Sequence, residues 1–569
     1  MDPGPPSKVE IIKTTSDGLR GPLAREVASA TSHFSEEARQ LLKFHGAYEQ
    51  DDRDQRRARK DAGEEPAYRF MVRAKLPGGA VTADQYLAFD DIAGRYANGT
   101  LRVTTRQDFQ LHGILKGDLK ASIRAMNDAL VTTLGACGDV VRNVVACPAP
   151  LHGALRDEAL AMAAHLSAHL LPRTRAYHEI WLDGEPVAST RTEPEHDPLY
   201  GTSYLPRKFK VGIGFPDDNC CDVHSNDLGF LAVVADGRIA GYNVLVGGGL
   251  GATHGKKETY PRLASVLGFT LPEDALSVAR AVVAVHRDYG DRSNRRHARL
   301  KYVLDDRGLE WFRGEVERRL GRALPVARDV VVTGIHDHLG WHEQGNGASF
   351  YGVFIENGRI RDTEQSALRT ALREIVARVR PGVRLTPQQN LLLTDIADTD
   401  RALVELILDD HGVRTVDRVS TVRRWAMACP ALPTCGLAIA ESERALPGVL
   451  DALERELARL GLAESPFTVR MTGCPNGCAR PYTADIAFIG RSADRYTVLV
   501  GGSLLGTRLA ATYADLVPRD QLVQTVLPLL ERYAAERLPG ERFGEYAHRT
   551  RIAHDAAREP VHTARESVA

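Results

Sequence analysis

Short runs rich in Val, Ile, Thr and aromatic residues recur along the chain. Three of them, "TLRVTT" (100–105), "FQLHGIL" (109–115) and "YNVLVGG" (242–248), are predicted strands. Between such runs the apolar period lengthens to that of a helix. "RDEALAMAAHLSAHLL" (156–171) and "GVLDALERELARLGL" (448–462) are predicted amphipathic helices, the second closing at a glycine. Both halves mix the two signals, so the fold class expected is α+β.

The pattern comes round twice. "RVTTRQDFQLHGI" (102–114) is echoed by "RLTPQQNLLLTDI" (384–396), and "RNVVACPA" (142–149) by "RWAMACPA" (424–431). "GFPDD" (214–218) stands against "GCPNG" (473–477), "DLGFLA" (227–232) against "DIAFIG" (485–490), and "YNVLVGG" against "YTVLVGG" (496–502). Periodicity makes strands look alike but does not keep them in order. The chain is read as a duplicated unit with pseudo-two-fold symmetry. Residues 66–134 and 328–406, one segment from each half, are expected to pair into a first domain; 135–327 form a second and 407–569 a third. Residues 1–65 have no echo, and their charge run "EQDDRDQRRARKDAGEE" (49–65) reads as a solvated segment. They are expected to wrap the body or meet a partner.

Composition narrows the classes. With 569 residues the chain exceeds one core, at roughly 150 residues per domain. Its 43% apolar and 26% charged content is that of a soluble globular protein. A net charge of −1 gives no bulk electrostatic case for nucleic acid or an anionic membrane. No basic-then-apolar leader opens the sequence and no run of eighteen apolar residues interrupts it, so a cytoplasmic protein is expected. Eight cysteines are too few for a disulfide scaffold, and in a reducing compartment clustered thiols suggest metal or redox work.

Four thiols are clustered. Cys429 and Cys435 are spaced C-x5-C, Cys474 and Cys478 C-x3-C. Four thiolates from two loops suit a [4Fe–4S] cluster, one per iron. Gly473, Asn476 and Gly477 would let the backbone turn tightly and aim amide N–H groups at sulfur, while Pro430 and Pro475 stiffen the turns. Structural zinc, disulfides and unrelated buried cysteines are the alternatives. Zinc pairs more often stand two or four apart, and disulfides conflict with the compartment. In the first half Cys147 occupies the place of Cys429, but Phe215 that of Cys474. One half would hold a cluster and its twin none, leaving a central cleft with basic residues from the unmodified half.

These motifs, with "TTRQDFQLHG", "RNV", "LPRKFK", "VLVGGGLGATHG" and "LLKFHGAYEQDDRD" (41–54), resemble the sirohaem-containing sulfite and nitrite reductases over essentially the whole chain. The start and length look most like the haemoprotein (beta) subunits of assimilatory NADPH-sulfite reductases. The resemblance implies an internally duplicated sulfite/nitrite reductase fold, three domains around a cofactor cleft, with a ferredoxin-like repeat domain. It implies that Cys429, Cys435, Cys474 and Cys478 hold a [4Fe–4S] cluster and that Cys478 bridges to the iron of sirohaem (siroheme). It also implies that Arg73, Arg142, Lys208 and Lys210 face the substrate, and that Arg106, Lys301 and Arg102 pair with sirohaem carboxylates, with Gln110 and His112 nearby. In "RKFK" strand alternation puts Lys208 and Lys210 on one face and Phe209 on the other.

The implied activity is six-electron reduction of sulfite to sulfide for sulfur assimilation and cysteine biosynthesis. Lys210 favours sulfite, since resembling nitrite reductases typically carry asparagine there. No convincing flavin or nicotinamide site is present, and "VGGGLGATHG" lacks the G-x-G-x-x-G spacing. Electrons are therefore expected from an external flavoprotein (alpha) subunit carrying FAD and FMN and using NADPH, docked through residues 1–65. A ferredoxin-dependent sulfite or nitrite reductase, and a non-catalytic iron–sulfur carrier, are the alternatives. His336, His338 and His342 of "HDHLGWHEQ" read as a polar connector between the halves.

Overall fold

The computed structural model describes residues 4–151, 153–183 and 196–552. Segments 1–3, 184–195 and 553–569 of the expected domains lie outside them. The chain divides into two compact bodies: residues 1–249, 262–419 and 433–436 form the first, and 250–261, 420–432 and 437–569 the second. Among the described residues no helix is long and apolar enough to cross a membrane.

The first body contains two sheets that trade strands. One runs β1 (Ala47–Asp51), β2 (Tyr68–Arg73), β5 (Phe109–Ile114), β4 (Leu101–Val103), β13 (Arg359–Ile360). The other runs β11 (Gly340–Glu343), β12 (Ser349–Val353), β15 (Leu391–Ile396), β14 (Gly382–Leu385), β3 (Ala80–Val81). Each sheet is thus closed at one edge by a two-residue strand from the other half. Glycines make the exchange possible. Gly79 and Gly358 lie at φ +73° and +74°; a Cβ on the first would run into the Leu385 carbonyl, on the second into that of Val103. Gln107 stitches the crossing, its Nε2 donating to the carbonyls of Leu385 (2.8 Å) and Gly78 (3.0 Å).

A third sheet in this body orders β10 (Ser265–Thr270), β9 (Arg238–Val246), β8 (Leu228–Ala235), β7 (Phe209–Gly214), β6 (Val141–Ala146). The second body repeats it as β16 (Met427–Ala428), β17 (Val469–Thr472), β18 (Ile486–Ser492), β19 (Arg495–Val500), β20 (Ala511–Pro518). In both, the first three strands in chain order (β6–β8 and β16–β18) pair parallel, and each of the last two pairs antiparallel with the strand before it. The helices Ala154–His169 and Leu446–Arg459 each bridge the first parallel pair, as the period predicted. Gly461, at φ +68°, closes the second of them. Each body has its own buried apolar core.

The amino-terminal segment is tied to this frame. Strand β1 is the counterpart of β11, an echo invisible in sequence because "AYEQD" and "GWHE" share only their role as edges. Upstream, helix Lys8–Thr15 buries Lys13, whose Nζ lies 2.5 Å from Glu10, 3.5 Å from Asp139 and 2.7 Å from the Leu205 carbonyl. Arg295 meets Asp139 at 2.8 Å and Arg292 meets Glu10. The helix Arg56–Asp61, in the charge run, has no buried residue.

Burial raises the Asp139 carboxyl, but Arg295, Lys13 and Arg207 outweigh it and hold the pKa far below the usual carboxylate range. A depressed carboxylate contributes stability above its unfolded pKa of about 4, lost as pH falls toward the folded value. Asp139→Asn should therefore lower the thermal midpoint at pH 7, by an amount equivalent to about 3 kcal/mol, because it strands buried cations. Wild type and variant should converge on acidification below about pH 4; a constant difference across pH would contradict this.

Candidate functional site

In the second body β16 ends at Ala428 and hands the chain to Cys429. The Cys429 N–H is shared between the Met471 carbonyl (3.3 Å) and Ser442 Oγ (3.2 Å), and its carbonyl accepts from Glu443 N–H at 3.1 Å. Alongside, β17 runs out into "GCPNGC". Gly473 N–H points at Cys429 Sγ (3.3 Å), and Asn476 Nδ2 at Cys474 Sγ (3.4 Å). A Cβ at Gly473 would collide with the Ala440 carbonyl and lie 2.7 Å from Ala431 Cβ, so only glycine fits there. Gly477 turns the tip at φ +67°, and the Pro475 carbonyl accepts from Tyr482 Oη and Ala252 N–H, each at 2.9 Å.

Burial pushes the Cys429 thiol up to about 12, the nearby charges of Cys478 and Cys474 adding to the rise and the Gly473 N–H opposing it. Neighbouring sulfurs with N–H donors aimed at two of them are a donor set for a soft cation. Cys429 and Cys474 are buried and Cys478 is exposed. Cys435 belongs to the segment 433–436 of the first body, where Arg53 N–H donates to the Pro433 carbonyl (3.1 Å) and Arg53 Nη1 to that of Cys435 (3.2 Å). None of the eight cysteines is in a disulfide.

The predicted cations all fall in the first body. Arg73 closes β2, 3.8 Å from Asp108, and its Nε lies 3.2 Å from the side-chain oxygen of Gln110 on β5. His112, two residues along β5, and Arg102 on β4 are buried. Arg142, on β6, donates through Nε to the Gly138 carbonyl (2.9 Å) and through Nη1 to that of Ala136 (3.0 Å). Its Nη2 reaches the Tyr48 hydroxyl at 3.4 Å. Lys208 and Lys210 are half-buried on either side of buried Phe209. Arg106 is committed to protein: Nη1 to Asn226 Oδ1 (2.6 Å) and Nη2 to the carbonyls of Val211 (2.9 Å) and Asn143. Its Nε, also buried, has no partner. Lys301 is fully buried at the start of helix Leu300–Arg307, donating to the Gly249 carbonyl at 3.1 Å.

These groups sense one another. Burial lowers Arg106 to about 10, and it lowers Lys301 to about 7, where Arg299 and Lys208 push the same way. Lys75 is lowered to about 7 by burial and then by Arg142. Buried cations that depress one another's pKa favour a bound polyanion, which would reverse each shift. Lys75 escaped the sequence reading although the signal was present. It flanks Ala74 opposite Arg73 in "MVRAKLPGG", the alternation that marked "RKFK". Arg299, whose Nη2 lies 2.9 Å from both oxygens of Asp227, was also missed.

The sequence matches the profile of the nitrite and sulphite reductase 4Fe-4S domain over residues 161–324 and 421–554. It matches that of the nitrite/sulfite reductase ferredoxin-like half domain over 62–129 and 342–411. It is 48% identical over 552 residues to the sulfite reductase [NADPH] hemoprotein beta-component of Geobacillus kaustophilus, covering 96% of each chain. To the protein of that name from Staphylococcus epidermidis it is 45% identical over 540 residues, covering 95% of this chain and 94% of the other. The solved NirA protein of Mycobacterium tuberculosis superposes with a TM-score of 0.77 at 26% identity, over 96% of this chain and 97% of that one. The duplicated sheets, the thiol turn and these matches agree: the chain belongs to the nitrite and sulfite reductase family.

Proposed function

We propose that this chain is the haemoprotein component of an assimilatory, cytoplasmic sulfite reductase, converting sulfite to sulfide with electrons from a flavoprotein (alpha) subunit that carries FAD and FMN and uses NADPH. The observation that carries the reading is the thiol turn, in which Gly473 N–H addresses Cys429 Sγ at 3.3 Å and Asn476 Nδ2 addresses Cys474 Sγ at 3.4 Å. Cys429, Cys435, Cys474 and Cys478 would hold the [4Fe–4S] cluster, and exposed Cys478 would be shared with sirohaem. When bound, that pair supplies low-potential electrons and an open iron position for the substrate sulfur. The domain division this implies is 66–134 with 328–406, then 135–327, then 407–569.

The residues of the first body supply charge and protons. Sulfite takes up six electrons and eight protons and leaves as hydrogen sulfide and three waters. Lys208 and Lys210 Nζ are assigned proton delivery, because an ammonium beside other cations releases its proton more readily. Arg73 and Arg142 are assigned orientation of the oxyanion; Arg142 has Nε and Nη1 pinned by carbonyls, so its Nη2 edge is held in place. Arg102, Arg106, Gln110, His112, Lys301 and Lys75 are assigned to the sirohaem carboxylates. For Arg106 that leaves Nε, its other donors being spent on protein. A second lysine at 210 matches a sulfite dianion better than monoanionic nitrite.

The test is sulfide production by purified holoenzyme, first with reduced methyl viologen and then with NADPH plus flavoprotein against reduced ferredoxin. Sulfide in the first and third reactions but not the second would transfer the enzyme to the ferredoxin-dependent class. No sulfide in any would leave an iron–sulfur carrier. Lys208→Ala and Lys210→Ala should each lower kcat/KM for sulfite by about 100-fold or more. Gly473→Ala, which drives a methyl group into the Ala440 carbonyl, should halve bound iron or worse while the far-ultraviolet circular dichroism stays native. Truncating residues 1–65 would remove β1 and the buried Lys13, so partner docking is better probed on the exposed helix Arg56–Asp61. Arg57→Glu with Lys60→Glu should weaken the NADPH-driven rate and spare the methyl viologen rate; equal losses would remove this helix from the docking surface.

A further inference from the structure

Cys147, Asp218, Cys220 and His338 meet inside the first body, away from any role assigned above. Cys147 follows β6, Asp218 and Cys220 lie on the loop after β7, and His338 comes from the irregular segment before β11. One ligand atom from each lies within 4.8 Å of the other three, and all four residues are buried. Cys147 Sγ and His338 Nε2 both lie 2.9 Å from Asp218 Oδ2, and 3.9 Å from each other.

We propose that these four side chains form a closed structural zinc site. Two sulfurs, an imidazole nitrogen and a carboxylate oxygen, buried with no exposed position, are a donor set for tetrahedral zinc. Tetrahedral zinc bonds of about 2.0–2.3 Å would place neighbouring donor atoms about 3.4–3.8 Å apart. The sulfur–nitrogen pair, at 3.9 Å, closes slightly and the two 2.9 Å contacts open by about half an ångström when the ion replaces the bridging protons.

Four further observations point the same way. Asp218 is braced at its other oxygen, Oδ1, by N–H groups of Cys220 (3.1 Å) and His336 (3.3 Å), the outer-shell support that orients a ligating carboxylate. His338 holds φ at +59°, an unfavourable backbone for a histidine that is retained to aim its ring inward. Its Nε2 faces Asp218 and Cys147, and its buried Nδ1 has no partner among the described residues. Arg156, fully buried across the face of Phe215 (3.7 Å), gives Nη2 to Asp217 (2.8 Å) and has no partner at Nε or Nη1. Two thiolates and one carboxylate about Zn²⁺ carry net −1, beside the buried Arg156 guanidinium, which Asp217 also contacts. On binding, both thiol protons and the imidazolium proton leave, so the metal-free network and zinc give the complex and three protons.

The duplication gives the site a place in the fold. Cys147 is the counterpart of Cys429, and the loop after β7 is the counterpart of "GCPNGC" after β17. The corner that gathers three cysteines in the second body gathers two cysteines and an aspartate in the first, and His338 completes the set. The ion would clip the segment that opens the second half to the β7 loop, where Thr333 N–H already donates to the Pro216 carbonyl (2.7 Å) and Asn219 N–H to that of Gly334 (2.9 Å).

The test is metal analysis of purified holoenzyme from zinc-replete cells, after dialysis against EDTA, with zinc K-edge absorption on the same sample. The expected result is about one zinc per chain, with two sulfurs near 2.3 Å and two lighter donors. Cys220→Ser and His338→Gln should each reduce zinc at least about fivefold with iron unchanged. Zinc below about 0.1 per chain in the wild type, or a first shell of oxygen and nitrogen only, overturns the proposal whatever the variants do. Full zinc in both variants overturns it as well.

Discussion

Buried positive charge is the constraint on which the first body depends. Arg102, Arg142, Lys75 and Lys301 are each more than nine-tenths buried, and burial lowers the pKa of Arg106. The buried carboxylates beside them are partly spent: Asp227 on Arg299, Asp108 on Thr104. A cation taken from water without a partner costs several kcal/mol. Carbonyls of Gly138, Ala136, Val211 and Gly249 offset part of that cost by accepting hydrogen bonds, but a dipole does not replace a counter-charge. In the proposed function that counter-charge is the sirohaem carboxylates and sulfite. The near-neutral total charge hides this.

Duplication explains how one chain carries both halves of the chemistry. The sheet β6–β10 and the sheet β16–β20 place the same two loops at the ends of the same parallel strands. What differs is a few side chains on those loops. Phe215 in the first packs under Arg156; Cys474 in its counterpart receives Asn476 Nδ2. The strand order is kept while the side chains on the loops differ, so copies of one frame can carry the two different sites of the proposed function.

Much of this was legible in the sequence because order and period survive duplication. The echoes of 102–114 in 384–396 became β4–β5 and β14–β15, and "YNVLVGG" and "YTVLVGG" became central antiparallel strands. The exchange of β3 and β13 was not legible, since a two-residue strand has no period and its partner is fixed by Gly79 and Gly358 alone. Nor was the counterpart of β1, for edge strands repeat a position and not a pattern. "HDHLGWHEQ" looked like a polar connector, yet His338 is buried against Asp218, because a histidine's environment is set by what another loop brings to it. Convergence of side chains far apart in sequence is what periodicity cannot report.

The two thiol corners also show why exposure, as well as ligand type, separates a working metal from a structural one. Cys147 and Cys220 are sealed, with their donors turned toward one another. Cys478 is the exposed thiol of its turn, carried at the end of a loop whose glycine tip leaves no side chain in the way. In the proposed function Cys478 is the sulfur shared with a second metal centre, and it is exposed while Cys429 and Cys474 are buried. The C-x3-C spacing with Gly477 at its tip thus packs one sulfur, Cys474, into the protein and presents the other, Cys478.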